Sequence, residues 1–283
     1  MTLLDPRITP ARADIAAAEL KGKLAAERFV EGRMVQAAKG AVALRKRPTD
    51  DAPLETQILY GERFTVYEEK NGWVWGQAAG DKYVGYAHAE SFVARVGEPS
   101  HRVTALFTPL LPASDVKSAH HDLLPMNAKV SVVGEENRYA RLAGGGYVFT
   151  GHLGPISVFV PDWVAVTERF VGAPYLWGGK TVAGIDCSGL MQIALEAGGV
   201  AAPRDTDMME AALGTAISIT PDLSQLKRGD LVFWKGHVGV MLDNARLLHA
   251  NGFAMQVTIE PLMQAARRSA ASEGPVRTIK RLP

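Results

Sequence analysis

Cys187 is the only cysteine in the 283-residue chain, and its surroundings mark it for chemistry: Gly184-Ile-Asp-Cys-Ser-Gly-Leu190. Asp186 can cap a helix that begins at Cys187, which sets the sulfur in the first turn. Unpaired N–H groups and a partial positive charge gather there. Both favour thiolate over thiol, so the thiol pKa is expected to fall. The same residue type also serves as a small buried hydrophobe. A nucleophilic cysteine needs a base. His237 opens a β-prone run after a Lys235-Gly236 turn, and His249 follows twelve residues later in Leu247-Leu-His-Ala250. If Met241 pairs with Ala245 across a three-residue connection, the two histidines lie opposite each other on one sheet face. A two-residue turn at Asp243-Asn244 would send them to opposite faces. The constellation thus predicts an odd-length connection. Cys187 is then the nucleophile, His237 the base and later the acid, and His249 the orienter of His237. His88, His101, His120, His121 and His152 show no metal-ligand spacing and receive no role. No carboxylate accompanies His237 and His249 as a metal partner, so no metal and no cofactor is expected.

The elements that must position these residues begin near Pro161. Trp163 to Phe170 reads as a helical stretch, followed by a Gly-rich loop at Tyr175-Leu-Trp-Gly-Gly-Lys180. Cys187 to Ala197 has helical apolar spacing and stops at Gly198-Gly199. Strands are read at 231–234, 237–242, 247–250, 255–259 and 276–280. Helices followed by an antiparallel run predict an α+β domain.

Upstream, short β-prone runs at 42–45, 64–67, 73–75 and 83–86 are separated by turn signals such as Asn71-Gly72, which predicts a small barrel. The pattern recurs. Ile58, Phe64, Val66, Asn71 and Trp73 align with Leu124, Val130, Val132, Asn137 and Tyr139 at an offset of 66 residues. Tyr83-Val84 aligns with Tyr147-Val148 after a two-residue gap, as a duplicated module would. Residues 1–35 are Ala-rich and charged, with a helix expected between Ala11 and Arg28. They form either an arm packed on the rest or a partly ordered tail. The expected domains are an arm at 1–35, barrels at 36–97 and 98–158, and an α+β domain at 159–283.

Lys and Arg number 31 against 30 Asp and Glu, for a net charge of +1. No basic excess calls for nucleic acid or anionic lipid. One cysteine forbids an intramolecular disulfide and a Cys-rich metal cluster. No apolar run approaches the roughly 18 residues a membrane span needs. The first residues lack the charged, apolar and small-residue regions of a secretory signal, so a cytoplasmic protein is expected.

Pro174-Tyr-Leu-Trp-Gly-Gly179, Asp186-Cys-Ser-Gly189, Gly229-Asp-Leu-Val-Phe233, His237-Val-Gly239 and His249-Ala250 occur in order. Together they resemble the NlpC family of papain-like bacterial cell-wall peptidases over residues 160–283. The upstream half resembles the tandem bacterial SH3-like barrels of γ-D-glutamyl-diamino-acid endopeptidases of the dipeptidyl-peptidase VI type. The resemblance implies two SH3-like β-barrels and a papain-like α+β catalytic domain. It also implies hydrolysis of the γ-D-glutamyl–diamino acid amide in peptidoglycan stem peptides. By the same resemblance Cys187 is nucleophile, His237 base and His249 the third polar residue. Tyr175 lies near the oxyanion, while Asp186 and Ser188 hold the amino-terminal end of the substrate. Trp177 joins Tyr175 in a pocket loop or simply packs there. Pro203-Arg-Asp-Thr206 matches a family stretch, so Arg204 and Asp205 shape the pocket or form a surface ion pair. The family's Gln position after it is Met209 here. Tyr83 of the first barrel, with Glu55 or Asp51, is the implied recogniser of a free α-amine. That would release L-Ala-γ-D-Glu from trimmed peptides during murein recycling. A related amidase or acyl transferase on the same fold, or a wall-binding module without catalysis, are the alternatives.

Overall fold

The computed structural model describes residues 4–94, 97–218, 223, 225–270 and 274–283. The chain divides into two compact units, Met1–Val158 and Phe159–Pro283. The first unit contains two β cores. In the first, strands Leu54–Leu59, Ala41–Arg45, Val84–His88, Trp73–Ala78, Arg63–Lys70, Arg33–Ala37 and Phe92–Val93 follow one another across a single sheet. Burial alternates along Ala41–Arg45 and along the first half of Arg63–Lys70, as the period-2 pleat requires. Val42, Leu44, Ile58, Phe64, Val74 and Tyr83 fill the interior. The hairpin at Asn71-Gly72 has φ of 52° and 79°, the paired left-handed geometry that matches strand twist.

The second core repeats the first at the predicted offset. Leu124, Val130 and Val148 are its centre. Asn137 turns the matching hairpin with φ 49°. A bulge between Val66 and Glu68 recurs between Val132 and Gly134. Its strands fall into three smaller sheets instead of one.

The expected helix between Ala11 and Arg28 does not form. Ile15–Ala17 is instead a strand paired in parallel with Arg28–Val30, and the segment between them opens with a 3₁₀ turn at Ala18–Leu20. All three residues of Ile15–Ala17 are fully buried. Three consecutive buried residues cannot share one face of a surface helix, so tertiary burial overrides the helical preference of the Ala-rich sequence.

In the second unit, six strands form one antiparallel sheet. Its order is Thr215–Ile217, Thr278–Arg281, Leu231–Trp234, His237–Met241, Arg246–Asn251 and Gln256–Pro261. Helix Cys187–Ala197 packs on the His237–Met241 and Arg246–Asn251 strands. All its residues except Glu196 are buried, so it is a core helix with little exposed surface to make amphipathic. Helix Leu262–Ser269 shares an apolar cluster with Met241 and Leu247 through Leu262 and Ala265. No helix among the described residues is long and apolar enough to cross a membrane.

Candidate active site

Asp186 takes the N-cap position of the Cys187 helix, and its Oδ1 accepts the Gly189 amide at 2.7 Å. That bond satisfies one orphan donor of the first turn. Oδ2 accepts the Gly178 amide at 2.8 Å, which ties the Tyr175–Lys180 loop to the helix start. Arg204, almost fully buried, closes the arrangement. Its two Nη atoms reach the Asp186 carboxylate at 3.0 and 2.6 Å, and Nη1 donates to Ser188 Oγ at 2.8 Å. Arg204 is therefore the interior partner of Asp186 and Ser188, not a surface ion pair. A buried charge without a partner is expensive, so each ion holds the other in place. Asp205 occupies the N-cap position of helix Thr206–Ala212.

Cys187 starts its helix in the interior, with Thr206 Oγ1 at 3.9 Å from Sγ. The backbone amide of Val238, next to His237, favours its thiolate, as does Arg204. Burial nevertheless dominates, reinforced by the Asp186 carboxylate, and pushes the thiol up to about 11. The expected fall in its pKa is thus reversed. Desolvation penalises a lone anion more than the helix terminus and the nearby donors help it. His237 moves the opposite way. Burial first, then His249 and Arg268, hold its imidazole down at about 3, against the opposing pull of Glu260. Thiol and imidazole therefore both rest neutral.

His237 Nε2 and His249 Nδ1 are 2.8 Å apart. The parity is as expected, but the register is shifted by two residues: Met241 pairs with Leu247 instead of Ala245, and the Leu242 amide donates to Arg246 O at 2.9 Å. Extending that register places His249 opposite Gly239, two positions along from His237 and on the same face. Asp243 shapes the turn: its Oδ1 accepts the Ala245 and Arg246 amides at 2.9 and 2.8 Å, which holds the three residues Asp243 to Ala245 between the bonded pair Leu242 and Arg246. A Cβ on Gly239 would stand 3.0 Å from His249 Cβ and 2.8 Å from Leu247 Cδ1. Glycine leaves the room in which the His249 ring reaches its neighbour. The Trp234 ring packs 5.6 Å from that of His237.

Behind His249 stand residues the sequence reading did not name. Glu260 Oε1 lies 2.8 Å from His249 Nε2, and Arg268 binds the same carboxylate. Asn251 Nδ2 is 3.1 Å from His249 Nε2. The signal was in the pleat. Leu247 pairs with Glu260 and His249 with Thr258, so positions 258 and 260 share the face of His249. A strand read as ending at Ile259 stops one residue short.

Tyr175 is half-buried, and its amide donates to Met255 O at 2.9 Å. Trp177 is 65% exposed. In the first unit Tyr83 is a core residue, and its hydroxyl donates to Glu55 Oε2 at 3.2 Å. Asp51 is exposed and accepts the Thr49 hydroxyl.

A buried cysteine at a helix start, packed against a strand that carries paired imidazoles, is the arrangement that a thiol nucleophile and its base require. Residues 172–271 match the NlpC/P60 family and residues 44–92 the bacterial dipeptidyl-peptidase Sh3 domain. The second unit thus holds an NlpC/P60 domain, a cysteine-peptidase class, and the first a bacterial SH3 domain of that kind. The chain is similar to dipeptidyl-peptidase 6 of Lysinibacillus sphaericus, with 26% identity over 77% of this chain and 88% of that protein. It is 28% identical to a γ-D-glutamyl-L-lysine dipeptidyl-peptidase of Bacillus subtilis, over 71% of this chain and 73% of the relative. A solved NlpC/P60 family protein from Bacillus cereus shares the fold at TM-score 0.75 and 20% identity, covering 89% of this chain and all of that one.

Proposed function

We propose that the chain is a cysteine peptidase that hydrolyses the amide between the γ-carboxyl of D-glutamate and the diamino acid of peptidoglycan stem peptides. It would act on peptides with a free N-terminal L-Ala and release L-Ala-γ-D-Glu, as in murein peptide recycling in the cytoplasm. The observation that carries the peptidase reading is the 2.8 Å contact between His237 and His249 beside the Cys187 helix. The names of relatives that align over most of their length support the substrate class.

In this mechanism His237 uses the ring nitrogen not engaged by His249 to take the thiol proton as sulfur attacks the carbonyl. Because both groups rest neutral, proton transfer and attack are coupled in one step. The oxyanion is met by the Cys187 amide and the Tyr175 hydroxyl. His237 then protonates the departing amine. Water, deprotonated by the same imidazole, hydrolyses the thioester. Asp186 is committed to Arg204 and the helix start. Its role in this reading is to hold the nucleophile's backbone, with Ser188 and Arg204, instead of offering a free carboxylate to the substrate.

The test is incubation of purified protein with L-Ala-γ-D-Glu–diamino acid peptides, with and without an acetyl group on the alanine, followed by mass spectrometry. L-Ala-γ-D-Glu is expected from the free peptide alone, and Cys187→Ala should lower turnover by about 10⁴ or more. Equal turnover of the acetylated peptide would remove the free-amine requirement, and normal turnover by Cys187→Ala would remove the mechanism.

A further inference from the structure

Accepting His237 as the base leaves the placement of its proton to be decided. A neutral imidazole carries one N–H and one lone pair. His237 Nε2 is engaged by His249 Nδ1, so only Nδ1 of His237 remains to receive the thiol proton. Two arrangements satisfy the contact between the rings. If His249 is protonated on Nε2, its Nδ1 accepts from His237 Nε2–H, and His237 Nδ1 keeps a lone pair for the thiol. If His249 is protonated on Nδ1, it donates to His237. The proton of His237 then sits on Nδ1 and blocks the base.

Two groups compete for His249 Nε2. The Glu260 carboxylate, at 2.8 Å, can only accept. Asn251 Nδ2, at 3.1 Å, can only donate, because the Ala254 amide fixes the other end of that side chain by donating to Oδ1 at 2.7 Å. The contact to Glu260 is shorter and charge-assisted, which makes it the stronger. Asn251 Nδ2 also has an outlet in Thr258 Oγ1 at 2.8 Å. Arg268 keeps the carboxylate ionised. Its Nη1 donates to Oε2 at 2.7 Å and its Nη2 to Oε1. Hydrogen bonding by Arg268, with help from His249, holds the Glu260 carboxyl below the usual carboxylate range.

The geometry points to Glu260 as a positioning residue that fixes the tautomers of His249 and then His237, with Arg268 holding its carboxylate in place. The assignment rests on the reading of His237 as the base. It gives the chain Arg268, Glu260, His249, His237, in which orientation passes through three hydrogen-bonded contacts. Asn251 is the donor that would impose the blocked tautomer were the carboxylate absent.

The ¹⁵N-labelled full-length protein tests this by long-range ¹H–¹⁵N spectra of the imidazoles, which report the tautomer without any substrate. Wild type should show both rings protonated on Nε2. In Glu260→Leu both should switch to Nδ1, and kcat should fall about 10- to 100-fold with KM within about twofold, the size expected of an outer orienting partner. Glu260→Gln keeps an acceptor and removes the charge, so it should retain the wild-type tautomers. The charged and titratable groups acting on the two rings are Glu260, Arg268 and the rings themselves. Of these, the Glu260 carboxylate is the one that raises imidazole proton affinity. The acid limb of kcat/KM in Glu260→Gln should therefore move to lower pH, a shift that a purely structural role would not give. A wild-type His237 protonated on Nδ1, wild-type tautomers surviving in Glu260→Leu, or an unmoved acid limb in Glu260→Gln would each overturn the assignment. If wild type cleaves no stem peptide, the functional reading fails, while the spectra still decide the tautomers.

Discussion

Among the described residues, Arg102 is the one charged side chain buried in the first unit, whereas the second buries Lys180, Asp186, Arg204 and Asp230 together with His237 and His249. The first β core is held by alternating apolar side chains, and its ion pairs, such as Arg12–Glu68 and Arg33–Glu69, keep contact with solvent. The NlpC/P60 unit places paired charges at the start of the Cys187 helix and beside the outer strands. A hydrophobic pair of the same volume often matches or exceeds a buried ion pair in stability. The difference between the units therefore reads as stability given up so that a thiol and an imidazole can be aimed.

Breaking a charge pair should accordingly matter far more in the second unit. Arg204→Met leaves the Asp186 carboxylate buried and unpartnered by its guanidinium, and should destabilise that unit by about 3–5 kcal/mol, measured by urea unfolding. A loss under about 1 kcal/mol would mean that the backbone amides alone satisfy Asp186. The next effect is acid sensitivity. His237 resists protonation until about pH 3 in the folded chain, whereas in the unfolded chain it takes a proton near pH 6.5. The unfolded state thus binds the extra proton between these values, and stability falls as pH drops through that window, by an order of a few kcal/mol in full. Unfolding free energies of wild type and His237→Asn between pH 7 and 4 check this, since the variant should lose less. The smallest effect belongs to the barrel surface. Glu68→Gln removes the carboxylate shared by Arg12 and Arg28, while Arg12 keeps Asp14 and lies 4.5 Å from the Trp75 ring centroid. It should cost about 1 kcal/mol or less and weaken further with salt. A larger loss would erase the contrast between the units.

Much of the architecture was legible because it follows from pattern. The second β core could be read from similar positions 66 residues apart, and the turn at Asn71-Gly72 from residues that tolerate left-handed backbone. The strands left the shared face of His237 and His249 open between a two- and a three-residue link, and it was the chemistry of the pair that selected it. What failed depended on three-dimensional context. The register of the hairpin is set by hydrogen bonds that the Asp243 carboxylate accepts, which no spacing rule contains. The arm at 11–28 forms strands because the rest of the unit buries Ile15–Ala17 on all sides. Arg204 pairs with Asp186 eighteen positions away, and the direction of the Cys187 shift is decided by burial, which sequence does not display.

The resting state of Cys187 has a chemical consequence outside turnover. Peroxide and electrophilic toxins react with the ionised form of sulfur, and in this fold that form is suppressed near neutrality. Set in the interior at 5% exposure, the sulfhydryl is held away from bulk solutes, and peroxide should modify it more slowly than an exposed thiol.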